Sequence, residues 1–138
     1  MFTHDYHLRV RYGDTDQMGF VYYGNYGYYY EQARAEAIRA AGITYKQIEA
    51  SGIMMPITRM TIKYISPAYY DELLTIKTII PFPPGRIITF QYEVKNEKGE
   101  LINEGETQLI FMDISTRRIK SAPQIVLDAL NPFFGKKN

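Results

Sequence analysis

One stretch of helical period, followed by nothing but strand runs, constrains this chain more than any other feature. Across residues 25–41, Tyr26, Tyr29, Tyr30, Ala33, Ala37 and Ala41 recur at three- and four-residue spacing, the period of a helix with one buried face. Gly42 then stands where a helix C′ residue belongs, and a shorter helical turn is expected over 44–50, closed by Gly52. From Pro56 the period changes. The segments ITRMTIKYI, LLTIKTIIPF, RIITFQYEVKN and ELINEGETQLIFMDI read as strands and RRIKS as a short last one, with hairpin turns at 96–100 and 115–117. A first strand is expected at 7–12 and a closing helix at 123–133, with Pro123 at its first position. One long helix placed ahead of antiparallel strands is an α+β arrangement in which the helix packs on the sheet. Its alanines let the backbones come close while tyrosines fill the wider end, so a curved sheet of five or six strands could wrap it.

Composition narrows the function. A chain of 138 residues fits one domain, 1–138, with a core large enough to need no staple. Sixteen Lys and Arg against fifteen Asp and Glu leave a formal charge of +1, so no overall field gathers nucleic acid or an anionic membrane. The absence of cysteine removes disulfides and thiolate chemistry and fits a reducing compartment. With no signal-like start and no apolar run long enough to span a bilayer, a cytoplasmic protein without membrane insertion is expected. His4 and His7 lie near a terminus with no third histidine in the chain, so neither a metal nor a cofactor is expected. No G-x-S-x-G, P-loop or dinucleotide fingerprint is present.

Ahead of the helix stands RYGDTDQMGFVYYGNYGYYYEQAR, with two acids one residue apart. The order strand, D-T-D-x-x-G-x-V-x-x-x-x-Y, then helix with E-x-x-R, resembles the hotdog-fold acyl-CoA thioesterases of the 4-hydroxybenzoyl-CoA thioesterase type. It is also similar to the acyl-CoA thioesterase encoded with the Tol-Pal system. The matching residues are Asp14, Thr15, Asp16, Gly19, Val21, Asn25, Tyr26, Glu31 and Arg34, then Tyr64, Pro67, Ala68, Asp71 and Leu73. The resemblance implies a hotdog fold, a homodimer or homotetramer built by joining sheets side by side, and hydrolysis of a fatty or aromatic acyl-CoA. A carrier-protein thioester is a further substrate it allows. The alternative is a non-catalytic acyl-CoA or acyl-carrier binding or assembly module on the same scaffold.

The resemblance passes the catalytic carboxylate to Asp16 and leaves Asp14 a structural turn residue. Thioester hydrolysis uses such a carboxylate as nucleophile or as general base toward water. The oxyanion donor implied is the backbone amide of Tyr23, helped by the turn at Gly19, and a helix start supplies such unpaired amides. Val21, Tyr22, Asn25 and Tyr26 are the expected substrate-binding residues beside them. The Tol-Pal enzymes carry histidine at the position of Tyr23, so Asp16 is the one obvious protic group here. For the CoA phosphates the resemblance points to Arg86, whose basic neighbours are replaced by Pro84 and Gly85, with Arg59 and Lys63 as further candidates.

Overall fold

The computed structural model describes residues 1 to 135. Seven strands form one antiparallel sheet: β1 (Phe2–Arg9), β2 (Ile53–Met54), β3 (Ile57–Tyr64), β4 (Leu73–Ile80), β5 (Ile87–Lys95), β6 (Leu101–Asp113) and β7 (Ile119–Lys120). The spine runs β1, β4, β5, β6, and β3 pairs with the far side of β6. The two-residue strands β2 and β7 flank the end of β6, which takes the number of strands above the five or six read from the sequence. The helices are α1 (Tyr26–Ala40), α2 (Tyr45–Ala50) and α3 (Gln124–Leu130). This is the expected α+β arrangement, with α1 against the inner face of the sheet. No helix among the described residues is long and apolar enough to cross a membrane.

Boundaries differ from the sequence reading at both ends of the chain. The first strand was expected at 7–12, but β1 pairs with β4 from Phe2 to Arg9, and Tyr12 instead opens a 3-10 turn, Tyr12–Asp14. The last strand shrinks to Ile119–Lys120, where it meets Phe111 and Met112. Pro123 caps α3 in an extended conformation, and after Leu130 a 3-10 turn containing Pro132 replaces the α-helix, since proline lacks the N–H that would continue it. Gly42 has φ 107 and ends α1 as a C′ glycine; Thr44 caps α2 and exchanges hydrogen bonds with Gln47 in a capping box.

The inward face of α1 buries Tyr26, Tyr29, Tyr30, Ala33, Arg34, Ala37 and Ile38. Tyr30 is the largest fully buried side chain among them. Its ring stacks on Tyr92 with centroids 4.2 Å apart, its hydroxyl donates to Asn103, and the Tyr92 hydroxyl pairs with that of Thr107 at 2.7 Å. Room for the ring exists because residue 105 is glycine: a Cβ there would lie 2.6 Å from both the Tyr30 ring and the Thr61 carbonyl oxygen. Arg34, 6% exposed, lies one turn further along. Burial alone would lower its pKa, and the Tyr92 and Tyr45 hydroxyls beside it reverse the direction, so it stays a cation.

Gly105→Ala is therefore expected to destabilise the protein by about 2–3 kcal/mol, because one of the two clashing partners is backbone and cannot swing aside. Urea unfolding followed by circular dichroism measures this, and a midpoint unchanged from wild type would contradict the packing described.

Candidate active site

The two acids of the D-T-D segment have different surroundings. Asp14 is tied down: its carboxylate accepts from Arg11 N and from the Tyr29 hydroxyl, both at 2.9 Å. Its carbonyl oxygen accepts from Tyr22 N at 2.9 Å and from the Asn25 side-chain amide at 2.8 Å. Asn25 thus ties the helix entrance to the loop and makes no side-chain cap. Asp16 is half-buried and accepts one hydrogen bond, from Met18 N to Oδ1 at 2.9 Å; its second oxygen has no partner among the described residues.

The chain then turns back on itself. Gly19, with φ 88, donates to the Asp16 carbonyl at 3.0 Å, and Asp16 N donates to Phe20 O at 3.1 Å. A positive φ of this size favours glycine, which explains the residue at this point of the turn. Val21 bridges Thr15 and donates to Ala68 O at 2.8 Å, anchoring the segment to the loop between β3 and β4. A 3-10 turn, Tyr23–Asn25, follows and runs directly into α1. Within it Asn25 N donates to Tyr22 O, whereas the amides of Tyr23 and Gly24 have no acceptor among the described residues. Two unpaired donors therefore stand at the positive end of the helix.

Beside these amides opens a mostly apolar cleft of about 370 Å³, lined by Phe20, Val21, Tyr23, Tyr26, Tyr64, Ile65, Ser66 and Pro67. Asp16 is joined to its wall through Phe20. The rings of Tyr22 and Tyr23 lie 4.6 Å apart over the turn, and Tyr22 covers Gly24, where a Cβ would lie 2.6 Å from the ring. The neighbouring Tyr23 hydroxyl, with a smaller contribution from the Asp16 charge, pushes the Tyr22 phenol up. Tyr26 is buried, and desolvation raises its pKa from 10.0 to about 12.

Asp16, Gly19, Val21, Tyr22, Tyr23, Asn25 and Tyr26 thus lie on one continuous segment, of which Val21, Tyr23 and Tyr26 line the cleft. The expected cations do not. Arg59 and Lys63 alternate with Met60 and Tyr64 along β3, which turns them to the outer face of the sheet. Lys63 lines a separate cleft there with Gln91, Glu93, Glu104 and Glu106, a charged and solvated surface. Arg86 precedes β5 at the end where Ile87 pairs with Ile110, while Tyr64 pairs with Asn103. That is roughly 24 Å along β6 at about 3.4 Å per residue. Sequence reasoning assigned no site role to Tyr64, which lines the cleft and donates to Tyr23 O at 3.0 Å. Its alternation with Met60 and Ile62 along β3 was the available signal.

Residues 10–130 match the family described as the thioesterase-like superfamily. The acyl-CoA thioester hydrolase YbgC of Escherichia coli is 30% identical over 87% of this chain and 90% of its own. The chain belongs to the thioesterase-like superfamily. Within the superfamily, a 1,4-dihydroxy-2-naphthoyl-CoA hydrolase from Thermosynechococcus vestitus is 29% identical over 90% of this chain and 93% of its own. The solved structure of a DHNA-CoA thioesterase from Staphylococcus aureus superposes with a TM-score of 0.85 at 32% identity, covering 96% of this chain and 86% of that one.

The tyrosines around the cleft give a pH signature. A phenol whose pKa is raised on folding stabilises the fold fully below its unfolded value and loses that contribution as pH rises through the folded value. For Tyr26, shifted from 10.0 to about 12, stability should hold up to pH 9 and fall between pH 10 and 12. The Tyr26 share is about 2–3 kcal/mol. Urea midpoints across this range measure it, and Tyr26→Phe should remove part of the fall.

Proposed function

We propose that this protein hydrolyses acyl-CoA thioesters with Asp16 as the reacting carboxylate and the amide of Tyr23 as oxyanion donor. The observation that carries the reading is the pairing of a carboxylate oxygen without a partner and two amides without acceptors on one segment beside an apolar cleft. In the general-base route Asp16 takes a proton from water as its oxygen attacks the thioester carbon. In the nucleophilic route Asp16 attacks the carbon itself, and water then cleaves the mixed anhydride. Either way the C–S bond breaks, CoA leaves as thiol and the acyl group leaves as free acid. In both routes the carbonyl oxygen gains negative charge in the transition state, where amides at a helix start are already oriented to receive it. The cleft admits an apolar acyl group, aliphatic or aryl, against the rings of Phe20, Tyr23, Tyr26 and Tyr64. We place the reaction in the cytoplasm, where acyl-CoA is available.

The acting unit we propose is a dimer joined through β3. Among the described residues this strand pairs on one side only, seven of its eight residues are exposed, and Ile57, Met60 and Tyr64 are each more than 40% exposed. A long apolar edge of this kind calls for a cover. Antiparallel pairing of two β3 edges about a two-fold axis would set the Ile57 end of one copy beside the Tyr64 end of the other. The partner's Arg86 would then approach the cleft that the protomer's own Arg86 cannot reach.

Asp16→Asn preserves shape and removes both base and nucleophile, so kcat should fall by about two orders of magnitude or more with the fold intact. Following thiol release across acyl-CoAs of varied chain length and aryl type tests this; turnover near wild type would end the assignment. Arg86→Ala should raise KM for acyl-CoA far more than it lowers kcat and should leave an acyl-N-acetylcysteamine unaffected, because that substrate lacks the nucleotide. Equal losses on both substrates would assign Arg86 to the fold or subunit contact. Light scattering at micromolar concentration should show at least a dimer.

A further inference from the structure

We propose that Tyr64 is a positioning residue for the reaction: its hydroxyl, reaching from the free edge of the sheet to the Tyr23 carbonyl, orients the amide at the head of α1. The inference rests on the reading in which the Tyr23 amide receives the oxyanion. The turn that carries this amide is weak by itself. It is three residues long, its Tyr23 and Gly24 are exposed, as is the preceding Tyr22, and a short 3-10 segment has poor hydrogen-bond geometry. Inside the turn, the Tyr23 carbonyl accepts from the backbone N–H of Tyr26. The second tie comes from outside: Tyr64 Oη donates to the same carbonyl oxygen at 3.0 Å. A carbonyl held from a second direction fixes the plane of its own peptide, which carries the Gly24 N–H, and so restricts rotation at the Tyr23 Cα that joins this plane to the Tyr23 N–H.

The donor, half exposed on the sheet edge, packs one side of its ring against the core. The Tyr64 ring meets Tyr26 edge to face at 5.7 Å and Tyr23 at 6.3 Å, and Tyr26 is buried. Tyr64 pairs across the ladder with Asn103, whose side chain accepts from the Tyr30 hydroxyl one turn further along α1. The strand that carries Tyr64 and the helix whose entrance it holds are therefore locked together at Asn103. The ring is also part of the cleft wall, so its hydroxyl and its face have separable effects.

In the full chain, Tyr64→Phe keeps the ring and deletes the hydrogen bond. On the acyl-CoA that wild type turns over fastest, kcat should fall about three- to tenfold, the loss expected of one neutral hydrogen bond. KM, and the affinity for a non-hydrolysable thioether analogue of the same acyl-CoA, should stay within about twofold, because the donor matters only as the oxyanion forms. Tyr64→Leu, which also removes the wall, should weaken analogue binding as well. Wild-type kcat in Tyr64→Phe overturns the inference. So does an equal loss of kcat and analogue affinity, or a loss that tracks the unfolded fraction in a melting curve. Asp16→Asn measured alongside separates the two claims. If it is inactive while Tyr64→Phe is unimpaired, the Tyr64 inference falls and the site reading stands; if it keeps full turnover, the site reading falls with it.

Discussion

The seat that Gly105 leaves for Tyr30 decides how the helix lies on the sheet. With any side chain at 105, the ring and the Thr61 carbonyl could not both stay where they are. Seated there, Tyr30 stacks on Tyr92 and bonds to Asn103, which fixes both the rotation of α1 and its position along the strands. Everything at the head of the helix follows from that register. Tyr26, one turn before Tyr30, is brought beside Tyr64, and Tyr23 is brought to the mouth of the cleft. Packed interiors tolerate few alternative arrangements, so one close contact can set the geometry of a site more than a turn of helix away.

Two aspartates in nearly the same sequence context are separated by their hydrogen bonds. Asp14 uses its carboxylate and its carbonyl to join the loop, the 3-10 turn and α1, receiving donors from Arg11, Tyr22, Asn25 and Tyr29. That arrangement leaves it little freedom to react. Asp16 is held by a short Asx turn to Met18 and keeps lone pairs available. One acid makes the frame in which the other is presented.

β3 pairs with β6 alone among the described residues, and the proposed site lacks a cation beside that open edge. Arg86 lies beyond reach of the cleft in its own copy, and Lys63 is turned toward Glu93 and Glu104 on the outer face. None of Arg59, Lys63 and Arg86 lines the cleft in its own chain. The dimer proposed along β3 would cover the exposed Ile57, Met60 and Tyr64 and bring in the positive charge together.

The helix, the main strands and the α+β class were legible in the sequence because each rests on a local period: Tyr26, Tyr30, Ala33 and Ala37 at helical spacing, and the alternation of β4 to β6 at strand spacing. The start of the first strand was misplaced because pairing with β4 runs from Phe2, and pairing is not a local property. β2 was missed because two residues carry no period. The segment from Asp14 to Tyr26 was recognisable as a unit from its residues in order. What divides its two acids, and what brings Tyr64 to Tyr23, depends in part on contacts between distant residues, Asn25 with Asp14 and Tyr64 with Tyr23 among them. Sequence alone determined which residue types stand near the helix entrance, since chain connectivity puts them there. Only the tertiary structure decided which of them are tied and which are free, and which face each cation takes, because those outcomes depend on the register of β3 on β6 and the seating of Tyr30 over a glycine.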